Sequence, residues 1–434
     1  MTDPNDDEIE ALRQFLSKFV PDAAGLDRES LAKIAGMMGN QSPEDLARAL
    51  NQAMSSWQNS PDRSSGVDWS LAATAAKKQA TTNNLAISDQ WRSRMASAVG
   101  LANLWLASVT EIGELTNEPK LLTRELWVED ALGLYRSLSD PIASKMSSAL
   151  TDALREHSPE QLGETVDALT GMLEAAGGAM FAMQLGQALG NLAAESLTAS
   201  DLGLSIFNEP RAGFVVQNLL DFTQELEIDA DAALIYFAVR ELASARLFKH
   251  SRWLRDQVVT QIVAYASDLS ADIDRLVDLA ENFESGDDLR EILEQQKLTK
   301  DLTDDQKKAL ENIETLLALI EGWVDAVTTK ATELLPQAPA LAEAVRRRRA
   351  TGGPAEKTFA TLLGLELRPR RLREAAAMWS QVGTALGNAK RDQLWNHPDQ
   401  LPTAADIADP AALIARLNAG GDDLDRELRN LLDG

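Results

Sequence analysis

The chain has 434 residues, 44% of them hydrophobic and 25% charged, and no cysteine. Its 67 acidic residues outnumber 42 lysines and arginines, giving a net charge of −25. That balance excludes a general nucleic-acid binder, which needs clustered cations to neutralise phosphates. The missing thiols exclude disulfides, thiol catalysis, iron–sulfur clusters and thiolate zinc sites.

Aromatic residues are only 5%, and Ala and Leu recur at helical spacing, so a mainly α body is predicted. Residues 1–62 read as a small acidic helical segment, with helices expected over Asp6–Val20 and Ser42–Trp57. The chain opens on acid where a secretory signal carries base, and no apolar run follows, so a cytoplasmic location is expected. Asn59–Gly66 has the composition of a linker. One helical domain is expected over residues 63–210 and a second over 211–434. Breaks are expected at Thr116–Pro119, Ser139–Pro141, His157–Pro159 and Asn208–Pro210. Ala175–Ala194 is the most membrane-like stretch, but Gln184, Gln187 and Asn191 would need partners in lipid. Its Gly178, Gly186 and Gly190 read instead as points of close helix approach, and no membrane span is predicted. Asp287–Lys308 is densely charged and reads as a surface hairpin of helices. Pro336, Pro339, Thr351–Pro354 and Ala419–Gly421 punctuate the remainder.

Chemistry-bearing residues are few. The three histidines, His157, His250 and His397, are far apart, and neither a phosphate-binding glycine loop nor a Gly-x-Ser-x-Gly elbow is present. Leu234, Phe237, Ala238, Leu242, Ala245 and Phe248 form one apolar helical face, and Glu241 falls inside it. A carboxylate there must be paired, hydrogen-bonded or neutral. It reads as either a catalytic or metal-associated glutamate or a structural ion pair. Glu321 shares a face with Leu317 and Val324, beside a stripe of Leu316, Ile320, Trp323 and Val327. Long helices over 211–254 and 304–333 are expected to pack side by side, with Glu241 and Glu321 near their contact. Arg346, Arg347, Arg348 and Arg349, followed by Arg368, Arg370, Arg371 and Arg373, concentrate positive charge. Arg346–Arg349 with Arg370 and Arg371 are an anion-binding candidate. The alternative is that these arginines tie helices together through Glu343, Glu356, Glu366 and Glu374.

Arg240-Glu-Leu-Ala-Ser-Ala-Arg-Leu-Phe248 followed by Trp253-Leu-Arg255 resembles the metal-site helix of the zincin-like metallopeptidases common in actinobacteria. The resemblance continues through Leu316–Asp325, Arg346–Glu356 and Gly364–Glu374, and upstream through Gly66–Ser70 and Leu101–Trp105. It implies a zincin-like multi-helix body and, for the wider family, zinc-dependent peptidase or hydrolase chemistry. In H-E-x-x-H two histidines bind zinc while the glutamate polarises water. The resemblance places Arg240 and Ser244 at the two histidine positions and Glu241 at the general base. It places Glu321 at the third ligand, and Trp323 where fully armed members carry histidine. Arginine offers no lone pair and serine is a poor zinc ligand, so no cofactor is expected. Arg240 is instead expected to occupy the lost cation's space and pair with Glu321. These residues imply a non-catalytic binding or scaffold protein with a protein or peptide partner. The alternative is a metal-dependent hydrolase using Glu241 and Glu321 with non-standard ligands.

Overall fold

Apolar residues at three- and four-residue spacing run through most of the sequence, and helices follow them. The computed structural model describes residues 67–81, 85–156, 163–201, 203–267, 303–350 and 371–419. The expected helices within 1–62, the 59–66 linker, the His157–Pro159 break, most of the charged 287–308 stretch, and the 351–354 and 419–421 punctuation lie largely or wholly outside them.

In chain order the elements are α1 (Trp69–Ala80), α2 (Asp89–Ala107), β1 (Lys120–Leu122), α3 (Arg124–Glu156) and α4 (Gly163–Glu195). Next come β2 (Gly213–Val215), α5 (Val216–Glu225), α6 (Ala230–His250) and α7 (Trp253–Ser267). The remaining helices are α8 (Asp304–Ala331), α9 (Ala338–Ala350), α10 (Leu372–Gln393), α11 (Ala404–Ala408) and a last one over 410–419. The mainly α expectation holds. The exception is a two-stranded parallel sheet in which Lys120, Leu121 and Leu122 pair with Gly213, Phe214 and Val215. Among the described residues, no helix is long and apolar enough to cross a membrane.

Two compact units are present. One draws on Met1–Ala75, Arg136–Gly186 and Val263–Lys307, the other on Ala76–Tyr135, Gln187–Ile262 and Lys308–Gly434.

In the first unit the expected break at Ser139–Pro141 does not occur, and α3 runs through Pro141. Proline removes a helix donor and crowds the preceding turn. Here Asp140 fixes that turn from both oxygens, accepting from Trp69 Nε1 at 2.8 Å and from Arg136 Nε at 3.1 Å. The start of α8 is closed by a reciprocal cap. Thr303 Oγ1 accepts from the Gln306 amide at 3.1 Å, and Gln306 Oε1 accepts from the Thr303 amide at 3.0 Å.

The second unit is built around α6. Nearly every residue from Ala233 to Phe248 is buried, including Arg240, Glu241, Ser244 and Arg246. The helix is therefore enclosed on all sides rather than by one apolar face. The expected single helix over 211–254 is corrected: it is β2, α5 and α6, interrupted at residues 226–229. Glu227 takes φ +53, a left-handed conformation that ends α5. Asp229 then caps α6 by accepting from the Ala232 amide at 3.0 Å. α2 packs on α6 and buries Met95, Ala98, Ala102 and Leu106, spaced as one helical face. At Gly190 on α4, a Cβ would lie 2.4 Å from Gln79 Cβ and 2.8 Å from the Ala76 carbonyl oxygen. That glycine marks the close helix approach expected of it.

A buried carboxylate joins the C-terminal helices to the segment after α2. Asp392 Oδ1 accepts from Trp323 Nε1 at 3.0 Å and from Arg391 Nε at 2.8 Å. Its Oδ2 accepts from the Thr110 hydroxyl at 2.7 Å and the Glu111 amide at 2.9 Å. Trp379 stacks on Trp395 with ring centroids 5.3 Å apart and donates to the Leu319 carbonyl. Asp392→Ala strands three buried donors, on Trp323, Arg391 and Thr110, and frees the Glu111 amide. It should cost about 3–5 kcal/mol, measured by urea denaturation of the full chain. A loss below about 1 kcal/mol would show that Asp392 is not such a tie.

Candidate functional site

Successive residues on a helix diverge by roughly 100°, so Arg240 and Glu241 leave α6 in different directions. Glu241 is 1% exposed. Its Oε1 accepts from the Gly213 amide at 3.0 Å, and its Oε2 from the Ser200 amide at 3.2 Å and the Ser200 hydroxyl. It thus anchors both ends of the 200–213 segment. Gly213 allows the approach, since a Cβ there would fall 2.8 Å from the Phe207 ring and 2.9 Å from Ala199 Cβ.

Arg240 donates from Nη2 to Glu321 Oε2 at 2.5 Å, as expected from the sequence. The other oxygen of Glu321 is held by Arg349 Nη1 at 2.6 Å. Sequence reasoning missed Asp201 and Asp325, which continue this network. Arg348 Nη1 donates to Asp201 Oδ2 at 2.6 Å, Arg349 Nη2 to the Asp201 carbonyl at 2.9 Å, and Arg346 Nη2 to Asp325 Oδ2 at 2.9 Å. Burial alone would raise the Asp201 carboxyl, but the charges of Arg348 and Arg349 outweigh it and hold the group below its ordinary range. Burial likewise opposes the charge on Arg240, yet Glu321 raises its pKa. Tyr236, beside these arginines, is pushed up to about 12 by burial. The Tyr236 hydroxyl, Arg240 Nη1 and Arg349 Nε are buried without a hydrogen-bond partner among the described residues.

The basic run is therefore drawn into the protein at three of its four positions, while Arg347 reaches Glu343 at 3.9 Å on the surface. Arg371 donates to the Ala404 carbonyl at 3.1 Å, Arg373 lies 3.7 Å from Glu343, and Arg368 and Arg370 fall outside the described residues. Ser244 is buried one turn beyond Arg240. Trp323 points to Asp392 rather than to Glu321. His250 Nε2 lies 2.8 Å from Asn396 Oδ1, and His397 caps the short turn at Pro398–Gln400. Among the described residues no three His, Asp or Glu side chains are grouped so as to hold a metal ion.

A model of the zincin-like metallopeptidase family matches residues 67–414. The chain belongs to the zincin-like metallopeptidase family. No curated protein matches it. Its fold is similar to the crystal structure of a "putative hydrolase with a novel fold" from Chloroflexus aurantiacus. That likeness has a TM-score of 0.55 and 19% identity, and covers 81% of this chain and 99% of that one. Within the matched region, Arg240 and Ser244 are buried on α6 and Glu321 is ion-paired on both oxygens.

The environment of Glu241 sets a pH dependence. Burial raises its carboxyl to about 7 from an ordinary 4.5, and the Ser200, Gly213 and Thr198 donors offset only part of that rise. A folded pKa above the unfolded one favours folding below the unfolded value, and this contribution is lost as pH rises from 4.5 through about 7. The loss is on the order of 3 kcal/mol. Glu241→Gln removes it. Denaturation of the wild type and variant at pH 5 and pH 8 should show the wild type losing that much more over the interval. Parallel pH profiles would mean that Glu241 titrates normally.

Proposed function

We propose that this zincin-like protein binds no zinc and serves as a non-catalytic binding or scaffold protein for a protein or peptide partner in the cytoplasm. The observation that carries this reading is the double engagement of Glu321, with Arg240 at 2.5 Å on one oxygen and Arg349 at 2.6 Å on the other. A guanidinium has no lone pair for a metal, so Arg240 supplies a fixed positive charge where the family's first histidine would supply a ligand. Zinc at that position would have to displace a buried cation and strip Glu321 of both partners. Ser244 is a poor substitute for the second imidazole.

The hydrolase alternative draws on Glu241, whose carboxyl sits near neutrality as a general base requires. Both of its oxygens, however, are committed to the 200–213 segment and the residue is 1% exposed. A base must reach the proton it removes, and this geometry favours a structural role.

Metal analysis of full-length, untagged protein dialysed against excess zinc and then against zinc-free buffer tests the proposal. Stoichiometric zinc should be absent, and peptidase activity on a casein substrate should not rise after zinc loading. About one zinc per chain, lost in Glu321→Gln, would overturn the reading and put the hydrolase alternative first.

A further inference from the structure

A second cationic feature lies further along α6. One turn beyond Glu241, Ala245 and then Phe248 form the floor of an open cleft of about 480 Å³. Its walls are the 205–211 segment and the start of α7, so the first wall belongs to the stretch that Glu241 anchors at Ser200 and Gly213. Phe207 and Pro210 add apolar surface, and the volume is within the usual range for small-molecule sites.

Four cations line this cleft: Arg211, Lys249, Arg252 and Arg255. Glu209 and Asp256 also line it, both exposed. Two of the cations are held by neutral oxygens. Arg255 donates to the Phe207 carbonyl and to Asn208 Oδ1, and Lys249 donates to the Glu114 carbonyl. Arg211 and Arg252 make neither a hydrogen bond nor an ion pair with any described residue. None of the four forms a salt bridge with a described carboxylate. The arginines of the family motif behave differently, since Arg240, Arg346, Arg348 and Arg349 are each paired with a carboxylate. In a chain of net charge −25, four cations against the two carboxylates of Glu209 and Asp256 leave net positive potential in one concave place.

We propose that this cleft is an oxyanion-binding site. It takes a small ligand whose phosphate or carboxylate group meets Arg211 and Arg252 and whose apolar portion lies against Phe207 and Phe248. Lys249 and Arg255 are already tied to the walls and supply fixed positive charge. Half-buried Arg211 and exposed Arg252 close on the anion through charge-assisted hydrogen bonds. The site is separate from the Glu321 network and goes beyond the metal-free reading, because it stands whether or not zinc binds.

The test is titration calorimetry of the full-length protein with phenyl phosphate, phenylacetate and inorganic phosphate, at constant ionic strength. Arg211→Ala, Arg252→Ala and the control Arg92→Ala, which alters an exposed cation on α2, are measured in parallel. Saturable binding of phenyl phosphate or phenylacetate is expected. It should weaken about tenfold or more in Arg211→Ala and in Arg252→Ala and be unchanged in Arg92→Ala. Both cleft side chains lack partners among the described residues, so both variants should keep the wild-type melting temperature. The stronger of the two aromatic probes identifies the oxyanion as phosphate or carboxylate, and inorganic phosphate measures the contribution of the apolar wall. No saturable binding of any probe, or equal weakening in all three variants, would overturn the proposal. Either failure leaves the zinc measurement unaffected, so the two readings fall separately.

Discussion

Removing a carboxylate from water costs several kcal/mol unless cations and donors replace its hydration, and the second unit encloses two such groups, Glu241 on α6 and Glu321 on α8. Glu321 meets that cost with a guanidinium on each oxygen, and Glu241 meets it with amides, hydroxyls and a raised pKa. The two solutions organise different parts of the unit. The arginine pair draws α9 and α8 onto α6, because Arg349 and Glu321 belong to those helices. The Glu241 anchor brings the 200–213 segment onto the same helix from another side. With Arg240 and Glu241 adjacent in sequence, a single turn of α6 directs both arrangements.

The ion-pair network also explains why a run of four arginines is compatible with an acidic, helical protein. Arg346, Arg348 and Arg349 meet Asp325, Asp201 and Glu321, carboxylates of which Asp325 and Glu321 are buried and Asp201 is partly so. With Arg240 this makes four cations against three carboxylates, and the surplus is consistent with the partnerless donors at Arg240 Nη1 and Arg349 Nε. Pairs of this kind contribute little net stability over an apolar core, but they are costly to break singly. Their effect is to fix which helix meets which.

Much of this was legible in the sequence. The apolar periodicity located α6 and α8, the residues around them carried the family resemblance, and the inward positions of Glu241 and Glu321 required partners. Arg240 could be named as Glu321's partner because the resemblance puts its guanidinium where a metal cation would otherwise sit. Asp201, Asp325 and Asp392 could not, because Arg348, Arg346 and Trp323, which hold them, are distant in sequence and no local pattern distinguishes these carboxylates from surface acids. The all-round burial of α6 was hidden for a related reason: Arg246 and Ser244 read as a solvent face unless the surrounding helices are known. The division of 211–254 into a strand and two helices had a visible cue in Asp229, a capping residue at a helix start, which the strong apolar pattern on either side obscured. Pro141 gave a genuine helix-breaking signal that the Asp140 contacts override.

Asp392 accepts the Thr110 hydroxyl across 282 residues of sequence, and Arg391 closes on the Val109 carbonyl across the same span. During synthesis, the segment after α2 leaves the ribosome long before either of these residues exists. Until Asp392 has been made, Thr110, Glu111 and Trp323 lack the acceptor that the folded unit gives them. The second unit therefore completes its core only once residues 391 and 392 are available. Nascent chains ending before α10 would expose apolar surface around Trp323 that Trp379 and Trp395 conceal, so α10 and the turn after it close the core.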